Sequence, residues 1–174
     1  MTCASSARAE KTSMYTILHP TDFTVESEQA FRIACGIARD QTAHLIVLQV
    51  VSADDCQDNE RNGDELLPSS RLYQSNLRRF GQLQSLATGI RTSFQIKIGL
   101  PIEAVVSVAT QERCDLIVLA ARYQDSLIYE IHSSVSVCVI SLANCPVLCL
   151  SQPSEFAPHS VSERMDWQFH EQDG

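Results

Sequence analysis

The chain has 174 residues, 44% of them hydrophobic and 20% charged, with a formal net charge of -8. That length and balance fit one soluble globular domain with modest tails. The negative charge argues against nucleic acid or an anionic membrane as the main partner, since both call for a basic surface, and no apolar run approaches the ~20 residues that span a bilayer.

Residues 1–13, MTCASSARAEKTS, are small and polar and are expected to be disordered. They hold no apolar core of a secretory signal, so a cytoplasmic location is expected. Tyr15-Thr16-Ile17-Leu18 is apolar and β-favouring and predicts the first strand, with His19-Pro20-Thr21-Asp22 at its carboxyl end. Thr24 or Ser27 caps a helix running to about residue 40, whose buried face is Ala30, Phe31, Ala34, Ile37 and Ala38. Leu45 through Val51 is a nearly continuous apolar run and predicts the second strand. Two parallel strands joined by a helix make a right-handed βαβ unit.

Residues 52–65 hold six acidic residues against one Arg and predict a solvated loop; their spacing does not match a calcium loop. A helix is expected from Leu66 to about Ala87, buried on Leu72, Leu77, Phe80, Leu83 and Leu86, with Gly89 in the turn after it. Phe94-Gln95-Ile96-Lys97-Ile98 alternates at period two, as a strand near a sheet edge does. Gly99-Leu100-Pro101 leads into a helix with Ile102, Val105, Val106 and Ala109 as its inner face. Leu116-Ile117-Val118-Leu119 predicts a strand buried on both faces, followed by a polar loop to about residue 132. Ser133-Ser134 can start the next helix, Asn144 ends it, Pro146 forbids its continuation, and Val147-Leu148-Cys149-Leu150 is the last strand.

After residue 150 the composition turns to Pro and Ser, as in a linker, and then to an arm carrying Val161, Met165, Trp167 and Phe169. Such a segment reads either as a floppy tail or as an arm; a wholly disordered tail seldom clusters such side chains, so an arm ordered against apolar surface on this subunit or its neighbour is expected. The divisions are therefore a tail at 1–13, an α/β domain at 14–151, and a linker with arm at 152–174. The alternation β-α-β-α-β-α-β-α-β gives a doubly wound sheet with helices on both sides. In such a sheet an anion would sit beyond the strand ends, against a helix N-terminus such as Ser133-Ser134.

From residue 15 to 151 the chain resembles the universal stress protein family. The resemblance rests on the order and spacing of Ile17-Leu18-His19-Pro20-Thr21-Asp22, Leu45 through Val51, Gly99-Leu100-Pro101, Asp115-Leu116-Ile117-Val118-Leu119 and Cys145-Pro146-Val147-Leu148. It implies a three-layer α/β/α fold of the adenine nucleotide alpha hydrolase-like kind, with a five-stranded parallel sheet of order 3-2-1-4-5, usually in a dimer. Many members bind ATP, and the resemblance carries their pocket onto Pro20, Thr21, Asp22, Val50 or Val51, Ala120, Tyr123, Ser133 and Ser134. In those members Ala120, Tyr123 and Ser133 are glycines. Glycine lets backbone N–H groups approach phosphate, whereas Tyr123 adds a ring, and Asp125 and Glu130 add negative charge against Arg122. The chain thus resembles the branch lacking the motif, and neither ATP nor another cofactor is expected. Asp22 has a simpler reading too, as a cap of the next turn or helix.

Catalysis finds little support: GxSxG, Walker A and HExxH are absent from the sequence, and His132 is only a sequence neighbour of Ser133 and Ser134. His19 is expected to have a surface or capping role. The seven cysteines and five histidines lack metal-site spacing, and the cysteines read as buried free thiols. The last strand, Cys145, Pro146, Val147, Leu148, Cys149 and Leu150, suits an edge because Pro146 lacks an N–H, and so apolar an edge calls for a two-fold mate. The favoured function is a non-catalytic stress-response protein acting as a homodimer and through protein contacts. The alternatives are a nucleotide-binding switch or weak ATPase with an altered loop, and a small α/β enzyme acting on another anion.

Overall fold

Strand β1, Thr16–Thr21, is the centre of the fold because its residues are buried on both faces. Ile17 and His19 point to one side and Leu18 to the other, and all three are fully buried. The structure, a computed structural model, describes residues 14–57, 60–63, 65–121 and 135–151. Around β1 the chain runs α1 (Val25–Asp40), β2 (His44–Val51), a 3-10 turn at Ala53–Asp55, β3 (Arg61–Asn62), β4 (Glu65–Leu66), α2 (Arg71–Leu86), β5 (Arg91–Ile98), α3 (Pro101–Gln111), β6 (Leu116–Ala121), α4 (Val135–Leu142) and β7 (Val147–Ser151). The parallel sheet has the order β5-β2-β1-β6-β7, which is the expected 3-2-1-4-5 arrangement of its five strands.

The sheet divides two cores. On one face Ile17, Leu45 and Val47 pack with Ala30, Phe31 and Ala34 of α1 and with Phe80 and Leu83 of α2. On the other, Leu18, Ile46, Leu48 and Ile117 pack with Val105, Val108 and Ala109 of α3 and Val139 of α4. At the amino end of the sheet Asp115 locks β6 to β1: its N–H donates to the Thr16 carbonyl at 2.8 Å, and its Oδ2 accepts from the Thr16 N–H at 2.9 Å.

Several details differ from the sequence expectation. The helix expected from Leu66 starts at Arg71, because Ser70 caps it by accepting from the Tyr73 N–H at 3.1 Å. Leu66 belongs instead to the antiparallel β3–β4 hairpin, so residues 52–65 are not wholly an irregular loop. On α2, Leu77 and Leu86 are exposed, and Asn76 lies beside Phe80 and Leu83 on the buried side. On α3 the inner face is Val105, Val108 and Ala109, while Ile102 and Val106 are half-buried on the flank toward α4. Among the described cysteines all are free; Cys35 and Cys114 are buried, and Cys56, Cys138, Cys145 and Cys149 are half-buried. The expectations for 1–13, for the loop at 122–134 and for 152–174 fall outside the described residues. Among the described residues no helix is long and apolar enough to cross a membrane.

Phe31 is the largest fully buried side chain, and its ring lies 5.6 Å from that of His19. Phe31→Ala is expected to lower unfolding stability by ~3–5 kcal/mol. Urea denaturation should show this as a lower midpoint at unchanged slope.

Candidate functional site

The site is built where the ladder between β1 and β6 stops. The two strands are paired at Ile17↔Leu116 and Leu18↔Ile117 and no further. In a parallel ladder the next rung would run from the N–H of residue 20 to the carbonyl of Val118, and Pro20 has no N–H. The same β1 residues pair fully with β2, through to Thr21↔Gln49. The break in the ladder therefore lies on the β6 side of β1, where a crevice between the strand ends is expected. That is also the point in the strand order where the chain reverses direction across the sheet, the place where α/β folds bind ligands.

The Val118 carbonyl freed by Pro20 is met by a side chain. His19 Nδ1–H donates to it at 2.8 Å, which fixes the tautomer and leaves Nε2 as an acceptor. His19 is fully buried, and among the described residues Nε2 has no hydrogen-bond partner. Burial drives its pKa from 6.5 down to about 4, against the opposing pull of the Val118 bond and of the Asp22 charge. The surface or capping role expected for His19 is thus overturned. The strand extends past Leu18, and alternation turns His19 to the same face as Ile17.

Beyond Pro20 the turn into α1 binds its own polar groups. Thr21 Oγ1 accepts from Ser27 Oγ at 2.9 Å and from the Phe23 N–H at 3.1 Å. Asp22 Oδ1 accepts from the Thr24 hydroxyl at 2.6 Å and the Thr24 N–H at 3.0 Å. Thr24, the N-cap of α1, accepts from the Ser27 N–H at 3.3 Å. Phe23 sits at φ 60°, a left-handed conformation unusual for a bulky residue. Its ring packs on Phe80 at 5.4 Å and lies under the Arg79 guanidinium at 5.2 Å. Sequence reasoning missed Phe23, since an aromatic after Asp22 gives no signal of positive φ.

The other pocket positions converge on the same end of the sheet. Gln49 and Val50 close β2, where Gln49 Nε2 donates to the Val50 carbonyl at 3.1 Å and Oε1 is buried with no partner among the described residues. The Val51 carbonyl accepts from Gly99, held at φ 140°, a conformation natural to glycine. Ala120 is half-buried in β6, opposite Leu150 of β7. The structure thus brings Pro20, Thr21, Asp22, Val50 and Ala120 to one rim. Tyr123, Ser133 and Ser134 lie outside the described residues, as does His132. Among the described residues no cluster of His, Cys, Asp or Glu could hold a metal ion.

Comparisons with known proteins agree with this fold. The model of the universal stress protein family matches residues 14–151. A universal stress protein of Synechocystis is 30% identical over 135 residues, covering 76% of this chain and 83% of the relative. Among solved structures, the universal stress protein UspA from Lactobacillus plantarum superposes with a TM-score of 0.60 at 24% identity, over 79% of this chain and 97% of that one. A universal stress protein in complex with cAMP superposes with a TM-score of 0.62 at 19% identity, over 80% and 98%. At such identities the solved structures speak to the fold.

The buried imidazole predicts an acid-sensitive fold. Folding lowers the His19 pKa from 6.5 to about 4, so the native state favours the neutral ring. Its contribution is complete above pH ~6.5 and is lost as pH falls toward 4, for a total of about 3 kcal/mol. His44, whose pKa burial also lowers, adds in the same direction. His19→Gln keeps a donor for Val118 but cannot charge. Denaturation across pH 4–7 should show a flatter profile for this variant than for the parent chain.

Proposed function

The chain belongs to the universal stress protein family, and from that membership we propose that it is a non-catalytic, cytoplasmic stress-response protein. It acts as a homodimer and through protein contacts, and it does not use ATP. The observation that carries this reading is the contrast between the two edges of the sheet. Edge strand β5 exposes Arg91 and Lys97 and is covered by β4, two devices that block further pairing. Edge strand β7, VLCLS, carries no charge and is only half-buried along Val147, Leu148, Cys149 and Leu150. Above it, α4 exposes Val137 and Ile140.

Pro146 does not blunt this edge. Its carbonyl accepts from the Ile117 N–H at 3.0 Å, so it faces β6. The outward positions, by alternation, are Val147, Cys149 and Ser151, all of which keep their N–H groups. A two-fold mate pairing along them satisfies these groups and covers the apolar side chains.

The rim supports the second half of the reading. Asp22 Oδ1 already holds two local donors, so the carboxylate that the family directs at the nucleotide caps a turn here. The sequence at Ala120, Tyr123 and Ser133 lacks the glycines that bare a phosphate loop. One solved structural neighbour is in complex with cAMP, and this favours a second reading, a nucleotide-binding switch that accepts a singly charged phosphate better than a triphosphate.

Light scattering at micromolar concentration should give about twice the chain mass. Cys149→Pro removes the middle outward donor without taking a rung from β6, and should give the single chain mass with the fold retained. For ligands, saturation at ~100 times a dissociation constant adds about 2.7 kcal/mol, a melting shift of roughly 5–10 °C for a chain of this size. At about millimolar ATP with Mg²⁺ the expected shift is near zero. A clear shift with ATP, or with cAMP, that Asp22→Ala abolishes would favour the second reading.

A further inference from the structure

A solvent-open cavity of about 530 Å³ lies between α3 and the end of α4, well away from the crevice. Its apolar wall is Ile102 and Val106 of α3 with Leu142 of α4, and its polar rim includes Glu103, Thr110 and Gln111. Leu142 is 57% exposed. This surface is separate from the β7 edge. Ile140 and Leu142 are two residues apart on α4, so they lie ~200° apart around its axis. Helix α3 packs over β2, and α4 over β6 and β7. The Leu142 flank therefore faces α3 and the opposite flank overhangs the edge, so dimer formation along β7 leaves the cavity open.

We propose that this cavity is the docking site of the chain's own C-terminal arm, residues 161–169, with Trp167 as its principal anchor. Two observations favour that occupant over another. The first is reach. Strand β7 ends at Ser151, at the same end of the sheet at which α3 begins. The way from there to the Leu142 end of the cavity crosses three strand spacings, about 14 Å, and one layer, about 10 Å, and runs back along β7 by about 15 Å, a direct span of about 23 Å. Residues 152–160 extend up to about 30 Å. The second is composition. The arm carries Val161, Met165, Trp167 and Phe169, and Trp167 is the only tryptophan in the chain. A cavity of this size with an apolar wall and a polar rim suits one or two large side chains, and an indole N–H can reach a rim acceptor such as the Glu103 carboxylate.

Because Trp167 is the sole tryptophan, the full-length protein reports directly on the arm. Emission shifted to the blue of free tryptophan, with iodide quenching reduced several-fold, is expected. Leu142→Arg, at an exposed position, should move the emission to the solvated wavelength and restore quenching while leaving the circular dichroism spectrum unchanged. Ile140→Arg, on the other flank, should leave Trp167 emission as it was, whatever it does to the subunit number. Nuclear Overhauser contacts from the Trp167 indole to the Val106 methyls should be present in the parent chain. A solvated Trp167 in the parent overturns the proposal. So does a buried Trp167 that ignores Leu142→Arg and lacks those contacts, which would put the arm elsewhere. Neither result bears on light scattering, so failure here is distinct from failure of the homodimer.

Discussion

One hydrogen bond that cannot form organises the functional end of this protein. Pro20 denies the Val118 carbonyl its donor, and the β1–β6 ladder ends three residues before β1 does. A buried carbonyl without a partner costs on the order of 1–3 kcal/mol, and His19 supplies the missing donor from its side chain. Three properties follow together. The break in the sheet falls beside β1 rather than elsewhere. The imidazole is locked in one tautomer inside the core. The domain carries a group that resists protonation and is therefore sensitive to acid.

The same chain treats its two sheet edges oppositely. At β5, Arg91, Lys97 and the small β3–β4 hairpin close off pairing. At β7 the outward N–H groups are complete and the side chains are apolar, and the α4 flank above adds Ile140, which is 51% exposed. An edge so composed is an aggregation liability in a monomer. At the rim, by contrast, the Thr21, Asp22 and Thr24 oxygens accept from the turn they sit in.

Much of the fold was legible in the sequence because strands buried on both faces write continuous apolar runs, as residues 45–48 and 116–119 do. Strand order came from the family resemblance, not from periodicity. Helix faces were less legible. Ile102 and Val106 fit an inner-face spacing, yet they turn toward α4, because a helix packed beside another helix needs a wider apolar arc than one packed on a sheet alone. Leu77 and Leu86 were expected to be buried for the same periodic reason and are exposed at 44% and 37%. The burial of His19 has no signal in the sequence, where it stands beside Pro20 at the carboxyl end of an apolar run. A proline at the point where a ladder ends is compatible with a strand, and the need for a substitute donor becomes visible only when Val118 is seen opposite. At the rim, Asp22 could be read either as a ligand or as a cap, and its bonds to Thr24 favour the cap.

The central claim joins a paired β7 edge to a crevice that holds no nucleotide, and native mass spectrometry of the purified, undenatured protein measures both at once. The account predicts a species of twice the chain mass with no nucleotide adduct, unchanged when ATP and Mg²⁺ are added. A single-chain species carrying one nucleotide would contradict it on both counts.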